Sequence, residues 1–194
     1  MMNIILFGPP GSGKGTQAQK LKERFNLLHV STGDIFRSEI AEGTPIGIEA
    51  KSYMDRGHLV PDELTIRMLD GFVETHSTPA TEGIIFDGFP RTVPQAIALD
   101  EFLEKRNSPV MIVLSLIVDD EEVVKRLISR GLTSNRIDDA NEEIVLNRLK
   151  VYYTQTAPLA EYYRHQNKFI SLNGKGTIDE IFEHLCVEIF KLSE

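Results

Sequence analysis

Nine residues near the amino terminus limit this chain more than any others. Gly8-Pro9-Pro10-Gly11-Ser12-Gly13-Lys14-Gly15-Thr16 follow the apolar run Asn3 to Phe7 and open a helical segment. In a strand–turn–helix setting the glycines let the backbone curl so that successive N–H groups point inward at an anion. The following helix presents its positive end to the same place. Lys14 can reach the β- and γ-phosphates of a nucleotide, and Thr16 offers a hydroxyl to phosphate or to the water shell of Mg²⁺. The hydroxyl comes one residue later than in the strict P-loop, because Gly15 follows Lys14.

The rest of the chain alternates short apolar runs with longer segments of helical spacing. Asn3 to Phe7, Leu27 to Val30, Ile84 to Asp87, Val110 to Val118 and Lys168 to Leu172 read as buried strands. Leu64, Met68 and Phe72 recur every four residues after Pro61, which suits a first helical turn. Thr177 and Glu180 predict a capping box before the last helix, whose apolar residues run from Ile178 to Leu192. This alternation predicts an α/β fold: a parallel sheet covered on both faces, with ligands at the carboxyl ends of its strands. At 194 residues the chain is read as one domain, 1–194. Two stretches break the alternation. Residues 31–60 are helical with a Gly43-Thr44-Pro45 break and no strand, and Gly131 to Asn135 read as a polar loop between helices. Both are expected to be flaps on a fixed core.

Composition excludes several function classes. A net charge of −8, from 21 basic and 29 acidic residues, argues against generic nucleic-acid binding. An acidic chain that binds an anion must therefore gather its cations in one place. The lone Cys186 forms no internal disulfide and excludes a zinc site of several thiolates, so no structural zinc is expected. His29, His58, His76, His165 and His184 lack metal-binding spacing and read as surface or packing residues. No apolar run reaches the roughly 20 residues of a membrane span, and no signal segment precedes Asn3. The expectation is a soluble, cytoplasmic protein.

Further segments suit a second anion site. Ser31-Thr32-Gly33-Asp34 follows the second strand with Arg37 one turn on, and Asp87-Gly88-Phe89-Pro90-Arg91 ends the third. An acid there can help hold Mg²⁺ and an arginine can grip phosphate. Gln95 lies four residues after Arg91, on the same face if a helix begins near Thr92, where its amide could read a base edge. Arg126 and Arg130 share a helix face after the acidic start Asp119 to Glu122, and Arg136 and Arg148 follow.

Taken in order, these motifs resemble the adenylate kinases, the nucleoside monophosphate kinases that catalyse MgATP + AMP ⇌ 2 ADP. The resemblance spans essentially the whole chain. A GTPase is disfavoured because Asn167-Lys168-Phe169-Ile170 lacks the aspartate of a base-reading motif. The resemblance implies a three-layer P-loop fold with a five-stranded parallel sheet, an AMP-binding insertion at 31–60 and a short lid at 130–136. It implies that Gly11, Ser12, Gly13, Lys14, Gly15, Thr16, Arg126, Arg130 and Gly176 bind ATP. Thr32, Arg37, His58, Leu59, Val60, Gly88, Phe89, Pro90, Arg91, Gln95, Arg136 and Arg148 would bind AMP. Lys14, Asp87, Arg91, Arg126, Arg130, Arg136 and Arg148 would serve catalysis. Asp34, Asp87 and Thr16 would lie near the Mg²⁺ water shell without binding the metal directly. A UMP/CMP kinase is the alternative, disfavoured because that group typically carries Ala at Thr32 and an Asn-rich stretch where this chain has Thr92 to Gln95. The implied partners are ATP, AMP and ADP, and the implied state is a monomer.

Overall fold

All five expected strands form, with ends displaced by at most one residue: β1 (Asn3–Phe7), β2 (Leu27–Ser31), β3 (Gly83–Asp87), β4 (Val110–Ile117) and β5 (Phe169–Asn173). The computed structural model describes residues 1–134, 136–139 and 141–192. The strands pair in parallel in the order β2-β3-β1-β4-β5. Because β1 has β3 on one side and β4 on the other, the chain reverses its direction of winding at β1. In such sheets a crevice opens beyond the carboxyl ends at that point.

Alternation along the strands feeds two cores. Ile5, Phe7, Phe86 and Val113 face α4 (Asp62–His76), α5 (Val93–Glu104) and α8 (Leu159–Arg164), where Leu69, Leu99, Leu103 and Tyr163 complete the packing. Ile4, Leu6, Ile85 and Leu114 face α1 (Lys14–Phe25) and α9 (Ile178–Phe190), meeting Leu21, Leu185 and Ile189. Each such side chain contributes about 1.5–3 kcal/mol when removed from water, so both layers are needed to hold the sheet. The capping box of α9 is present, with Thr177 and Glu180 each bonded to the other's backbone N–H. Pro61 stands just outside α4, at its N-cap, rather than in its first turn.

After Ser31 ends β2, residues 32–60 hold α2 (Thr32–Glu42) and α3 (Pro45–Met54) with no intervening strand, as expected. Phe36, Ala50 and Val60 of this stretch pack on Leu64 and Met68 of α4 in a small separate core. The second irregular stretch differs from expectation. Gly131, Leu132 and Thr133 are not loop but the last turn of α6 (Asp120–Thr133). Asn135, within the expected loop and lid, lies outside the described residues. The glycine there serves close approach, not a turn: a 3₁₀ turn at Ile137–Asp139 passes directly over Gly131. Then follow α7 (Glu142–Val151) and a π-helical turn at Tyr152–Thr156. Val123 and Leu127 of α6 pack on Val145 and Leu149 of α7.

Candidate active site

The cradle forms as the glycines require, with φ of 134°, 82° and 97° at Gly8, Gly11 and Gly13, a region that side chains with a Cβ rarely enter. Gly13 caps α1 without any side-chain hydrogen bond, so the helix's first N–H groups are left for an anion. Lys14 Nζ folds over the turn, donating to the carbonyl oxygens of Gly8 and Pro9 at 2.8 Å each. Burial pulls its pKa down to about 8, opposed by Asp87 and reinforced by the positive charges of Arg91, Arg148 and Arg130. Cations from four separate elements thus converge on one place.

They line a cleft of about 770 Å³ at the carboxyl ends of the strands. Gly11 to Thr16, Arg37, Asp87, Gly88, Pro90, Arg91, Arg126, Arg130, Arg136, Arg148 and Gly176 all border it. A smaller cavity of about 40 Å³ is lined by Thr32, Val60 and Gln95 and shares His58, Leu59, Gly88 and Arg91 with the cleft. Every expected site residue except Phe89 therefore borders one or the other, Asp34 included. The Phe89 ring is 1% exposed and belongs to the central core, leaving only its main chain to face a ligand.

Acids hold the arginines in place. Asp139, its carboxylate fully buried, accepts from Arg130 Nε at 2.6 Å and from Arg148 Nη1. Asp138 lies 3.0 Å from Arg148 and 3.6 Å from Arg37. Burial alone would raise the Asp138 pKa, but the charges of Arg148 and Arg37 outweigh it and hold the group below its usual range. Asp34 accepts from Arg37 Nη2 at 2.6 Å and Arg136 Nη2 at 3.0 Å. Its pKa is likewise lowered, the hydrogen bonds from Arg37 and Ser31 overcoming burial. Arg126 pairs with Glu122 one turn back, at 2.9 Å. Arg91 differs from these: among the described residues no carboxylate lies within ion-pair reach, and its Nε donates to Gly88 O at 2.7 Å. Burial and the neighbouring Arg148 pull its pKa down to about 10. A half-buried guanidinium that no carboxylate pairs directly is ready to take an anion.

One expectation about geometry needs correction. Arg91 and Gln95 do not share a helix face, because α5 starts at Val93 with Thr92 as its cap. Instead Gln95 Oε1 accepts from the Arg91 backbone N–H at 2.8 Å and its Nε2 donates to Asp62 Oδ1 at 2.7 Å. One N–H and one lone pair of the amide remain for a ligand. Asp34 borders the same cleft as the cradle and pairs there with Arg37 and Arg136, while Asp87 Oδ2 lies beside Gly15. Among the described residues no group of three or more His, Cys, Asp or Glu is placed to hold a metal ion, and no helix is long and apolar enough to cross a membrane.

Sequence reasoning missed Asp138 and Asp139 as functional, although they directly follow Arg136 and Ile137. It also set aside His29, whose buried Nε2 has no hydrogen-bond partner and sits 3.8 Å from Asp87 Oδ2. No sequence motif marks these residues.

A five-stranded sheet in this order, a phosphate cradle after β1 and a two-ended cleft edged with arginines define a P-loop phosphotransferase. The adenylate kinase family model matches residues 6–168. Among curated relatives, an adenylate kinase from Flavobacterium psychrophilum is 51% identical over 192 residues, covering 99% of this chain and all of the relative. One from Bacteroides fragilis is 48% identical over 186 residues, covering 96% and 97% respectively. The chain belongs to the adenylate kinase family. It is a nucleoside monophosphate kinase, and the family's reaction, phosphoryl transfer between ATP and AMP, displaces the UMP/CMP alternative.

Proposed function

We propose that the cleft holds ATP and AMP tail to tail and that the chain converts them reversibly to two ADP. The observation that carries this reading is the convergence of Lys14, Arg91, Arg130 and Arg148, with a side cavity built around Thr32 and Gln95. A ring of cations inside one long cleft, with a side cavity opening from it, suits a donor and an acceptor whose negative tips must approach each other.

In the reaction, an α-phosphate oxygen of AMP attacks the γ-phosphorus of ATP. A bond forms between that oxygen and phosphorus as the bond to the β-bridging oxygen breaks, and ADP leaves. The attacking oxygen carries no proton that must be removed, so no general base is needed. Charge spreads over the three equatorial oxygens, and catalysis is positioning plus electrostatic stabilisation. In this reading Lys14 and the N–H groups of Gly11 to Thr16 hold the ATP phosphates, with Arg126 and Arg130 on the transferring group and Gly176 beside adenine. Arg37 and Arg91 hold the AMP phosphate, while Arg136 and Arg148 reach both chains. Guanidinium forks suit the task because each stays charged and binds two oxygens at once. Thr32, Gln95, Gly88, Pro90, the Phe89 main chain and the 58–60 segment surround the AMP base and sugar. The Mg²⁺ that accompanies ATP would neutralise phosphate charge, with Asp34, Asp87 and Thr16 near its water shell.

The 31–60 insertion and the 130–136 lid are read as flaps that close to exclude water, which would otherwise hydrolyse ATP. Support comes from the ion pairs that join them: Arg136 to Asp34, and Arg37 to Asp138 beside the lid. The enzyme is taken to act as a cytoplasmic monomer, since one chain supplies both sides of the cleft. Purified protein given MgATP with AMP, UMP or CMP tests the reading: ADP forms fastest from AMP, and failure with AMP refutes it.

A further inference from the structure

One contact on the rim of the cleft has no part in the chemistry above. α3 ends in a turn in which His58 N–H reaches Tyr53 O at 3.0 Å and Gly57 N–H reaches Met54 O at 2.9 Å. This is the glycine-terminated helix end that needs a left-handed residue, and Gly57 supplies it with φ of 70°. The same glycine is buried against α7. A Cβ there would stand 3.0 Å from Arg148 Cγ and 3.1 Å from Ile144 O. Beside it, Asn147 Nδ2 donates to the carbonyl oxygen of Arg56 at 2.7 Å, across 91 positions of sequence.

The contact joins two moving parts. Arg56 to His58 ends the 31–60 insertion, and its continuation, His58 to Val60, borders the acceptor cavity. Helix α7 follows the lid and carries Arg148, which reaches Asp138 and Asp139. Asn147 itself contacts neither cavity, since its amide points to the rim.

We infer that Asn147 is a positioning residue for the acceptor site, a latch that fastens the 56–60 segment to the helix carrying Arg148. The proposal rests on the reading of that segment as an AMP-side group, Arg148 being shared by both phosphate chains. A single hydrogen bond near the surface shifts an equilibrium by about threefold to tenfold, and here it favours the acceptor flap in its closed place. Loss of the latch therefore acts on AMP and not on ATP.

The test compares Asn147→Ala, Asn147→Asp and Asn147→Gln with the unaltered protein, by KM for AMP, KM for ATP and thermal melting. Asn147→Ala is expected to raise KM for AMP about threefold to tenfold. KM for ATP and the melting temperature should stay where they were. Asn147→Asp, which sets a carboxylate against the Arg56 carbonyl oxygen, is expected to be at least as weak, and Asn147→Gln, which keeps a donor, to recover much of the loss. An unchanged KM for AMP in the Ala and Asp variants overturns the latch while leaving the kinase reading intact. Equal rises in both KM values with a lowered melting temperature also overturn it, since that marks a merely structural residue. An unaltered protein that makes no ADP from AMP removes the acceptor-site reading itself, and the latch with it.

Discussion

Gly131 of α6 lies directly beneath the backbone of Asp139, so close that a Cβ on the glycine would overlap the Asp139 carbonyl group. Asp139 in turn anchors Arg130 and Arg148. In most helices Gly→Ala stabilises by about 1 kcal/mol. Here Gly131→Ala is expected to destabilise by at least about 1 kcal/mol, because the 3₁₀ turn must lift and two arginines lose their anchor. Chemical denaturation with ATP titration checks this: lower stability and weaker ATP binding are expected, and a more stable variant would show that the turn moves freely.

Lys14 offers the clearest separation of function from stability. Lys14→Met removes a charge that should stabilise the transition state, and turnover is expected to fall at least about a hundredfold, or about 3 kcal/mol. Because the cation is buried among other cations, its removal should leave stability unchanged or raised. Parallel kinetics and melting decide it. Near-normal turnover would place Lys14 outside the reaction.

The lowered Lys14 pKa also predicts a proton linkage. The folded protein releases this proton at about pH 8, below the ordinary lysine value of 10.5. Between those values the unfolded chain binds more protons, so Lys14 penalises folding below pH 8 and the penalty fades as pH rises through the window. Phosphates entering the cradle raise the pKa again. ATP binding should therefore take up about half a proton at pH 8, and more as the pH rises by another unit. Titration calorimetry in buffers of differing ionisation enthalpy measures this. Equal heats in all buffers, or an uptake that persists in Lys14→Met, would assign the proton elsewhere.

Gln95 tests base choice. Its amide is pinned by Arg91 and Asp62, so one donor and one acceptor face outward in a fixed direction. Gln95→Ala should raise KM for AMP and reduce the AMP-over-UMP preference by about tenfold, with a smaller change in kcat. An unaltered preference would mean that the base is read by other groups.

The central sheet was legible because its buried strands are short continuous apolar runs and the helices between them repeat with a period of 3.6, both local patterns. The cradle was legible for the same reason: glycines, lysine and hydroxyl lie within nine adjacent residues. Gln95 was expected at an acceptor site on one helix face with Arg91; it lines the side cavity, but Arg91 stands outside the helix. The orientation of Gln95 depends on Asp62, which lies 33 positions away on another helix. Gly131 was misread because a glycine in a polar stretch commonly marks a turn, whereas here it admits a neighbouring backbone.

By itself, then, the sequence determined the alternating α/β scaffold, the phosphate turn and which cations were available to a cleft, since each is written in residues close along the chain. Only the tertiary structure decided which acid steadies which arginine. Asp34 and Arg136 stand 102 positions apart, and Arg37 meets Asp138 across a similar span. Such pairings follow from how helices pack over the sheet, because Coulomb attraction and hydrogen bonding act through space and leave no periodic trace in the order of residues.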